Sequence, residues 1–308
     1  MGLFFVFGIN WYNQRVRKWA TAMGKYDKKF LFFSDLDSTL LQDNGFFSAY
    51  TKEVVEQIYE EGYLLIPITA RSTGDVMRQA KRLKIDVNGG IIGANNGSQL
   101  FDFKNQVWII NESLSTEVLK WVFEHTHGVK DMKVHFFSDD TTFVYAIGAN
   151  SQYWAQIMGS DYIVIDSHQA LEQKINHLTI ALPKSWTLEQ YQEFFTIIST
   201  QLKELGADVH KYSDRVLEIA PKNVSKGYAV KKALEYLQVD RHQTKTYAFG
   251  DGYNDLSMFD AVDVGVVVEN AALALKDVAD DATDSNMDDG VANYLATRFL
   301  KNKPSKEK

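Results

Sequence analysis

The sequence of 308 residues contains no cysteine and only four prolines. The lack of cysteine excludes disulfide bonds, a thiolate nucleophile and Cys-ligated zinc. It fits a reducing compartment, so a cytoplasmic location is our expectation. Positive charge is also scarce, since 33 Lys and Arg residues stand against 40 Asp and Glu residues, for a formal net charge of −7. A nucleic-acid-binding protein is expected to carry a basic face, so we expect no nucleic-acid partner.

No apolar run reaches the roughly 20 residues that are needed to span a bilayer. Residues 1–9 are apolar but lack the basic start and the small-residue cleavage site of a signal peptide. Val6 stands where a myristoylation signal requires Ser or Thr. We therefore expect no membrane partner. Residues 1–28 have no predicted role: they form an N-terminal extension, or translation starts at Met23.

The composition is that of an ordinary globular protein, with 45% hydrophobic and 24% charged residues over a length that suits two domains. Both ends of the chain alternate short apolar strands with amphipathic helices, a pattern typical of parallel βαβ units. The middle of the chain changes to hairpins and separate helices. The sequence thus predicts a Rossmann-like α/β core with a parallel sheet, formed by 29–97 and 214–308. An α+β module, 98–213, is inserted into it.

The predicted elements of the core are strands at Phe30–Phe33, Tyr63–Ile68, Ile91–Ile92, Lys245–Phe249 and Val264–Val268, and helices at Thr51–Glu61, Thr73–Leu83, from Ser225, Leu256–Ala261, Ala271–Val278 and Gly290–Phe299. In the insert the pattern predicts hairpins Leu100–Phe103 with Val107–Ile110 and Met132–Phe137 with Phe143–Ile147, strands Ile163–Ile165, His177–Leu182, Val209–Tyr212 and Val216–Ile219, and helices Thr116–His125, Gln152–Met158 and Leu188–Leu205.

Two carboxylates, Asp35 and Asp37, follow the first predicted strand and are separated by one residue. Carboxylates at the end of a buried strand are costly unless a cation or a reaction uses them. Taken alone, the pair is equally well explained by a polar turn whose carboxylates are solvated.

Other polar residues stand at corresponding strand ends and at one helix start: Thr69, Lys226, Asp251, Asn254 and Asp255. Each has an ordinary explanation, as a helix cap, a solvated lysine or a tight turn. Chemistry in parallel sheets takes place at the carboxyl ends of the strands, where these residues are predicted to meet. Their joint occurrence is therefore less easily explained by separate turns.

Together these residue types form a coherent site for a phosphate ester. Asp35 and Asp251 can share a hard cation, for which Mg²⁺ is the best candidate because it prefers oxygen ligands. Lys226 and Thr69 can bind phosphoryl oxygens. An ionised Asp35 is a competent nucleophile, and Asp37 can act as acid and base. An EF-hand is excluded because Phe46 replaces its twelfth-position Glu, and no P-loop sequence occurs.

The chain resembles the haloacid dehalogenase (HAD) superfamily over about residues 30–300. Its four motifs are matched by Asp35-Leu36-Asp37-Ser38-Thr39, by Thr69, by Lys226 in Val-Ser-Lys-Gly and by Gly250-Asp251-Gly252-Tyr253-Asn254-Asp255. The insert resembles a C2-type cap, preceded by Asn96-Gly97. The segments Leu217-Glu218-Ile219 and Asp289-Gly290-Val291-Ala292 resemble the Cof-type IIB branch. One departure is Ser38, where many members have Gly.

The resemblance implies a role for each matched residue. Asp35 would be the nucleophile and a Mg²⁺ ligand. Asp37 would be the acid/base and would bind the metal through its carbonyl, and Asp251 and Asp255 would be further metal residues. The phosphate would be bound by Thr69, Lys226 and Asn254, and Asn96 would be a cap-hinge or substrate residue. The implied function is Mg²⁺-dependent hydrolysis of a small phosphorylated metabolite, a sugar phosphate, through an aspartyl-phosphate. A phosphomutase and a non-catalytic phosphometabolite-binding protein are the alternatives. The sequence carries no signal for the oligomeric state.

Overall fold

The computed structural model describes residues 29–139, 141–146, 161–171, 174–302 and 304. The helix predicted for Gln152–Met158 and the N-terminal extension 1–28 lie outside these residues. Within the described ranges, no helix has both the length and the apolar composition that a membrane span requires.

The described strands are β1 Phe30–Ser34, β2 Leu64–Pro67, β3 Ile91–Ala94, β4 Gln99–Asp102, β5 Val107–Asn111, β6 Lys133–Phe137, β7 Thr141–Val144, β8 Asp161–Val164, β9 His177–Ala181, β10 Ala207–Ser213, β11 Val216–Pro221, β12 Lys245–Gly250, β13 Val264–Val268 and β14 Asp281–Thr283. The described helices are α1 Ala49–Glu60, α2 Thr73–Arg82, α3 Ile85–Asn88, α4 Thr116–Thr126, α5 Leu188–Glu204, α6 Lys226–Tyr236, α7 Leu256–Phe259, α8 Leu273–Lys276 and α9 Gly290–Phe299.

The first sheet contains five parallel strands in the order β14-β13-β12-β1-β2. Its interior strand β1, which lies between β12 and β2, is apolar on both faces, and Phe32 and Phe33 are fully buried. Continuous apolar runs of this kind are expected where helices cover both faces of a parallel sheet. The predicted α/β core is therefore confirmed. Because β1, β2 and β12 are neighbours, their carboxyl ends bring Asp35, Thr69 and Asp251 to one edge.

The strand predicted at Ile91–Ile92 is β3, but it does not extend the parallel sheet as expected. It pairs antiparallel with β4 in a separate three-stranded sheet, and one parallel bridge, Ile68 to Gly93, joins it to the first sheet. The chain reverses directly after β3, where Asn95 and Asn96 have φ values of 50° and 53°. This left-handed turn, which Asn tolerates better than most residues, folds β4 back onto β3.

The second large sheet has six strands in the order β10-β11-β9-β6-β7-β8. All of its pairs are antiparallel except β7 with β8. Alternating apolar residues cover one face, including Val134 and Phe136 of β6, and they pack with residues of α4 and α5 such as Val122 and Ile198. The inserted α+β module predicted from the sequence is thus present.

The buried apolar residues form two clusters, one for each large sheet. Hairpin β4–β5 contributes Leu100 and Ile110 to the cluster of the first sheet, whereas Leu114 belongs to the cluster of the second sheet. The apolar cores therefore divide between Ile110 and Leu114. The predicted domain limits 29–97, 98–213 and 214–308 describe where the chain passes from one domain to the other, whereas the clusters describe side-chain packing. The limits therefore stay a prediction.

Two elements near the end of the chain differ from the expectation. Strand β14 was not predicted, because Asp281-Ala282-Thr283 is polar and only partly buried at the edge of the sheet. The helix expected over Ala271–Val278 is the single turn α8. Short edge elements carry too few apolar residues to produce a clear periodic pattern.

A close backbone approach sets α6 against α7. The Gly227 amide donates to Ser257 Oγ at 3.1 Å, and a Cβ atom added at Gly227 would lie only 2.0 Å from the Ser257 carbonyl oxygen. This approach needs a residue without a side chain. It brings the start of α6, with Lys226, next to the loop that carries Asp255.

We expect Gly227→Ala to destabilise the protein although Ala is the better helix former. Its higher propensity is worth about 1 kcal/mol, while forcing a methyl group against a carbonyl costs roughly 3 kcal/mol. The free energy of unfolding, measured with urea, should fall by about 2 kcal/mol. Gly206→Ala is the control, because its φ is 88° with no atom within 4 Å of the added Cβ. It should lose only about 1 kcal/mol. Unchanged or higher stability of Gly227→Ala would contradict the close approach.

Candidate active site

The candidate site lies at the carboxyl edge of the parallel sheet, beginning with Asp35. This residue directly follows β1, and its amide donates to the Phe249 carbonyl of β12 at 2.9 Å. Leu36 is buried, and its carbonyl accepts from the amides of Leu40 and Leu41 at 3.0 and 2.7 Å, which closes a compact loop. The sheet therefore fixes the backbone of Asp35, and its side chain is almost completely buried.

Lys226 links two of the acids. Its side chain is 1% exposed, and its Nζ donates to Asp35 Oδ1 at 2.5 Å and to Asp255 Oδ1 at 2.7 Å. The Ser225 side chain caps α6 and accepts from the Tyr228 amide, which places Lys226 at the first helical position. Burial opposes the charge, but the carboxylates of Asp255 and Asp35 outweigh it and raise the pKa of Lys226 above its usual range. A buried ammonium is stable only with such partners.

Asp35, Asp251 and Asp255 form an acidic cluster, in which one carboxylate oxygen from each residue lies within 4.8 Å of the other two. Asp255 Oδ2 accepts from the amides of Asp251 and Gly252, each at 3.0 Å, so it also shapes the turn. Thr39 Oγ1 donates to Asp251 Oδ1 at 3.0 Å. Asp35, Lys226, Asp251 and Asp255, which the sequence predicts at one site, are thus brought together.

The cluster carries more negative charge than Lys226 can balance. Burial, followed by the charge of Asp255, raises the pKa of Asp251 to about 6. Burial and the neighbouring carboxylates also raise the pKa of Asp35 well above its usual value, although Lys226 opposes this. Closely spaced oxygen donors with unbalanced negative charge suit a hard divalent cation such as Mg²⁺. The residues present therefore fit a divalent metal ion.

The Asp37 side chain turns away from the acidic cluster. Both of its oxygens accept from Arg71, from Nε at 2.7 Å and from Nη2 at 2.5 Å. Arg71 is buried, and its Nη1 donates to the buried Asp75 at 2.5 Å. A bidentate guanidinium–carboxylate pair of this kind fixes the plane of both groups. Sequence reasoning did not assign a role to Arg71, although its place two residues after Thr69 was visible.

The phosphate-binding candidates lie on neighbouring loops. Thr69 follows Ile68, and its Oγ1 accepts from the Arg71 amide at 3.2 Å. The Thr69 carbonyl accepts from the Asn96 amide at 2.9 Å. The Asn96 side chain in turn accepts at Oδ1 from Asn254 Nδ2 at 3.1 Å. Asn96 therefore joins the Thr69 loop to the turn that carries Asn254.

Ser38, the departure from the family pattern, has φ of 57° and an exposed side chain. This left-handed conformation explains why Gly is common at the position, because other residues pay about 1–2 kcal/mol there. The Ser38 carbonyl accepts from Asn270 Nδ2 at 2.7 Å, which helps to hold the conformation. Ser thus fits the loop backbone that Gly would also adopt.

Glu218 is a buried acid near the site, which the sequence indicated only as part of a family segment and of a range, Tyr212–Glu218, of candidate substrate residues. It lies on β11, with Oε1 3.9 Å from Nε2 of the buried His177. Burial raises the pKa of Glu218 to about 7, although Lys226 and the Asn96 amide lower it. In the sequence, Glu218 stands between the apolar residues Leu217 and Ile219, which is also the pattern of a strand with a charged residue on its exposed face. The pattern therefore does not show that Glu218 is buried.

Comparisons with known proteins show what the whole chain is similar to. The 5-amino-6-(5-phospho-D-ribitylamino)uracil phosphatase YitU of Bacillus subtilis is 25% identical over 291 residues, covering 88% of this chain and 98% of that protein. A crystal structure of a haloacid dehalogenase-like hydrolase from Bacteroides thetaiotaomicron matches with a TM-score of 0.76 and 23% identity, covering 89% of this chain and 100% of that one. The HAD subclass IIB sugar phosphatase BT4131 matches with a TM-score of 0.70 and 18% identity, over 86% and 97% of the two chains.

The two structural matches establish a shared fold, a HAD core with a cap, which confirms the predicted architecture. The family profile of haloacid dehalogenase-like hydrolases matches residues 32–295, a range that contains every motif residue described above. The resemblance predicted from the motifs is therefore confirmed, and the chain belongs to the haloacid dehalogenase-like hydrolase family.

Proposed function

We propose that the protein is a Mg²⁺-dependent phosphatase that hydrolyses a small phosphate monoester through an aspartyl-phosphate. The observation that carries this proposal is the Lys226 ammonium, which bridges Asp35 and Asp255 inside a cluster of three carboxylates. The arrangement pairs a buried, oriented carboxylate with positive charge for an incoming phosphate. Membership of a hydrolase family supports the same chemistry.

In the first step, an oxygen of Asp35 attacks phosphorus and the ester P–O bond breaks, while Asp37 gives a proton to the leaving oxygen. In the second step, water attacks the phosphorus of the aspartyl-phosphate and passes a proton to Asp37. Inorganic phosphate leaves, and the Asp35 carboxylate is restored. Lys226, Thr69 and Asn254 bind the phosphoryl oxygens and keep phosphorus in line with Asp35.

Asp35, Asp251 and Asp255 would hold the metal ion, with the carbonyl of Asp37 as a further ligand. Bound Mg²⁺ supplies positive charge against both the carboxylates and the phosphoryl oxygens. The substrate class is a small phosphorylated metabolite, and a sugar phosphate is our first choice. A relative at 25% identity is a phosphatase of a phosphoribityl compound, and a protein with the same fold is a sugar phosphatase, which supports this choice.

We expect Asp35→Asn to abolish turnover of p-nitrophenyl phosphate, by roughly 10⁴-fold or more, because the amide cannot form the acyl-phosphate. Phosphate release in the presence of Mg²⁺ is the measurement. Asp43→Asn removes an exposed acid from the adjacent loop and should retain activity. Turnover by Asp35→Asn at the parent rate would refute the aspartyl-phosphate. An isomerised sugar phosphate without free phosphate would indicate a phosphomutase instead.

The acid role of Asp37 predicts a dependence on the leaving group. Asp37→Asn should lose about 10²–10⁴-fold in kcat/KM with an alkyl phosphate, because this ratio reports the first step, in which the leaving oxygen needs a proton. It should lose much less with p-nitrophenyl phosphate. Arg71→Lys, which removes the bidentate contact, should show the same selectivity to a smaller degree. Arg78→Lys is the matched control, since Arg78 also contacts Asp75 and is more exposed. An equal loss on both substrates would contradict the acid role.

The raised pKa values predict how stability depends on pH and metal. Asp251 titrates near 6 in the folded state and near its ordinary 3.8 when unfolded. Its contribution to stability is therefore present at low pH and lost as pH rises through about 6. In EDTA, the thermal midpoint should fall as the pH rises from 3.8 to about 6. Saturating Mg²⁺ should reverse this fall, by about 2.7 kcal/mol at a hundred times Kd.

Asp251→Asn provides the control for this experiment, because it removes the titrating carboxylate and one metal ligand. The variant should show a shallower fall with pH in EDTA and a smaller gain with Mg²⁺. A gain from Mg²⁺ in Asp251→Asn as large as in the parent protein would place the metal elsewhere.

A further inference from the structure

Gln99 lies where the two large sheets meet, and it is fully buried on β4. Its side-chain amide makes four hydrogen bonds. Nε2 donates to Asp139 Oδ1 at 2.7 Å and to Asn111 Oδ1 at 3.0 Å, and Oε1 accepts from Thr73 Oγ1 at 2.5 Å and from Asn95 Nδ2 at 2.6 Å. All of its donors and acceptors are used, which is the condition for burying an amide without a large cost.

The chemistry of its partners fixes the orientation of this amide. Asn111 Oδ1 also accepts from Lys174 Nζ, which can only donate. Asn111 therefore presents oxygen, and Gln99 presents nitrogen to it. The Asp139 carboxylate requires a donor as well. Gln99 Oε1 must then face Thr73 and Asn95, so one side of the amide binds the acceptors and the other binds the donors.

Asp139 makes a second contact across the same boundary. It lies in the turn between β6 and β7 of the second sheet, and its carbonyl accepts from the Gly74 amide at 2.7 Å. Gly74 belongs to the first turn of α2, whose amides have no partner within the helix. The Ser72 side chain, at the N-cap of α2, makes no capping hydrogen bond. The second sheet thus supplies a partner that α2 lacks.

These contacts reach the loops that carry the phosphate-binding candidates. Thr73 and Gly74 begin α2 directly after the loop that carries Thr69 and Arg71, and Asn95 precedes Asn96 on the other loop. The Asn95 amide also donates to the Arg71 carbonyl at 2.9 Å, which ties the two loops together. Gln99 therefore contacts both loops on one side and the turn of the second sheet on the other.

We propose that Gln99 is a positioning residue that latches the turn at Asp139 onto the phosphate-binding loops, so that docking of the cap and ordering of these loops occur together. The catalytic consequence rests on the proposed function, whereas the latch itself does not. When the cap is undocked, Gln99 loses a charge-assisted hydrogen bond and Gly74 loses its acceptor. A hydrogen bond to a charged group shifts an equilibrium by about ten- to a hundredfold.

A charge change and its rescue test the latch. Gln99→Glu can still accept from Thr73 and Asn95, but it places a carboxylate against Asp139 and opposes docking. Adding Asp139→Asn supplies an amide donor for the new carboxylate and should restore the contact. In hydrogen–deuterium exchange, the peptide containing Gly74 should exchange about tenfold faster in Gln99→Glu, and the double variant should return towards the parent rate.

For a sugar phosphate, Gln99→Glu should raise KM and lower kcat, and the double variant should recover both. Gln106→Glu is the matched control, since Gln106 is on the same hairpin and bonds only the local Phe103 carbonyl. If Gln99→Glu fails to fold, Asp139→Ala provides the second variant, because Asp139 is exposed and its loss removes the side-chain contact alone.

Parent-like exchange at Gly74 in both Gln99→Glu and Asp139→Ala would overturn the latch. The latch would also be overturned if exchange at Gly74 in the double variant stayed as fast as in Gln99→Glu, because a merely structural role of Gln99 predicts no rescue. Faster exchange with rescue in a protein that hydrolyses no phosphate ester would support the latch and reject the proposed function. The two failures are therefore distinguishable.

Discussion

The ammonium of Lys226, held between Asp35 and Asp255, is the interaction on which the rest of the site depends. A buried cation is tolerated only when carboxylates surround it, and buried carboxylates are tolerated only when a cation is near. The fold brings these groups together from three separate segments, the loop after β1, the start of α6 and the turn after β12. The close approach at Gly227 allows α6 to lie near enough for this contact.

One lysine does not neutralise three carboxylates, and this imbalance gives the site its chemistry. The raised pKa values of Asp35 and Asp251 express the cost of holding the acids together in a buried place. A divalent cation removes that cost, and it also provides the positive charge that a phosphate requires. The same carboxylates that destabilise the metal-free protein would therefore hold the cation that attracts a phosphate.

Sequence reasoning predicted the parts of this arrangement that depend on local pattern. The apolar runs of β1 and β12 identify the parallel core, and the residues at their ends identify the acidic cluster. It did not predict the pairing of β3, which depends on the left-handed turn at Asn95 and Asn96. It also missed the Arg71–Asp37 pair and the four hydrogen bonds of the Gln99 side chain. Both join residues from different loops, so nothing in the spacing of either segment indicates the contact.

The segment from Thr69 to Gly74, which ends in the first turn of α2, connects these contacts. In the proposed mechanism Thr69 offers a hydroxyl to the phosphate, and Arg71 holds the carboxylate that moves protons. Gly74 bonds the turn at Asp139. In the bidentate pair each oxygen of Asp37 accepts one hydrogen bond from Arg71, which fixes the plane of the carboxyl group and leaves each oxygen a second lone pair. Only Ser72 and Thr73 separate Arg71 from Gly74, so the orientation of Asp37 and the contact of α2 with the turn at Asp139 depend on the same short segment of the chain.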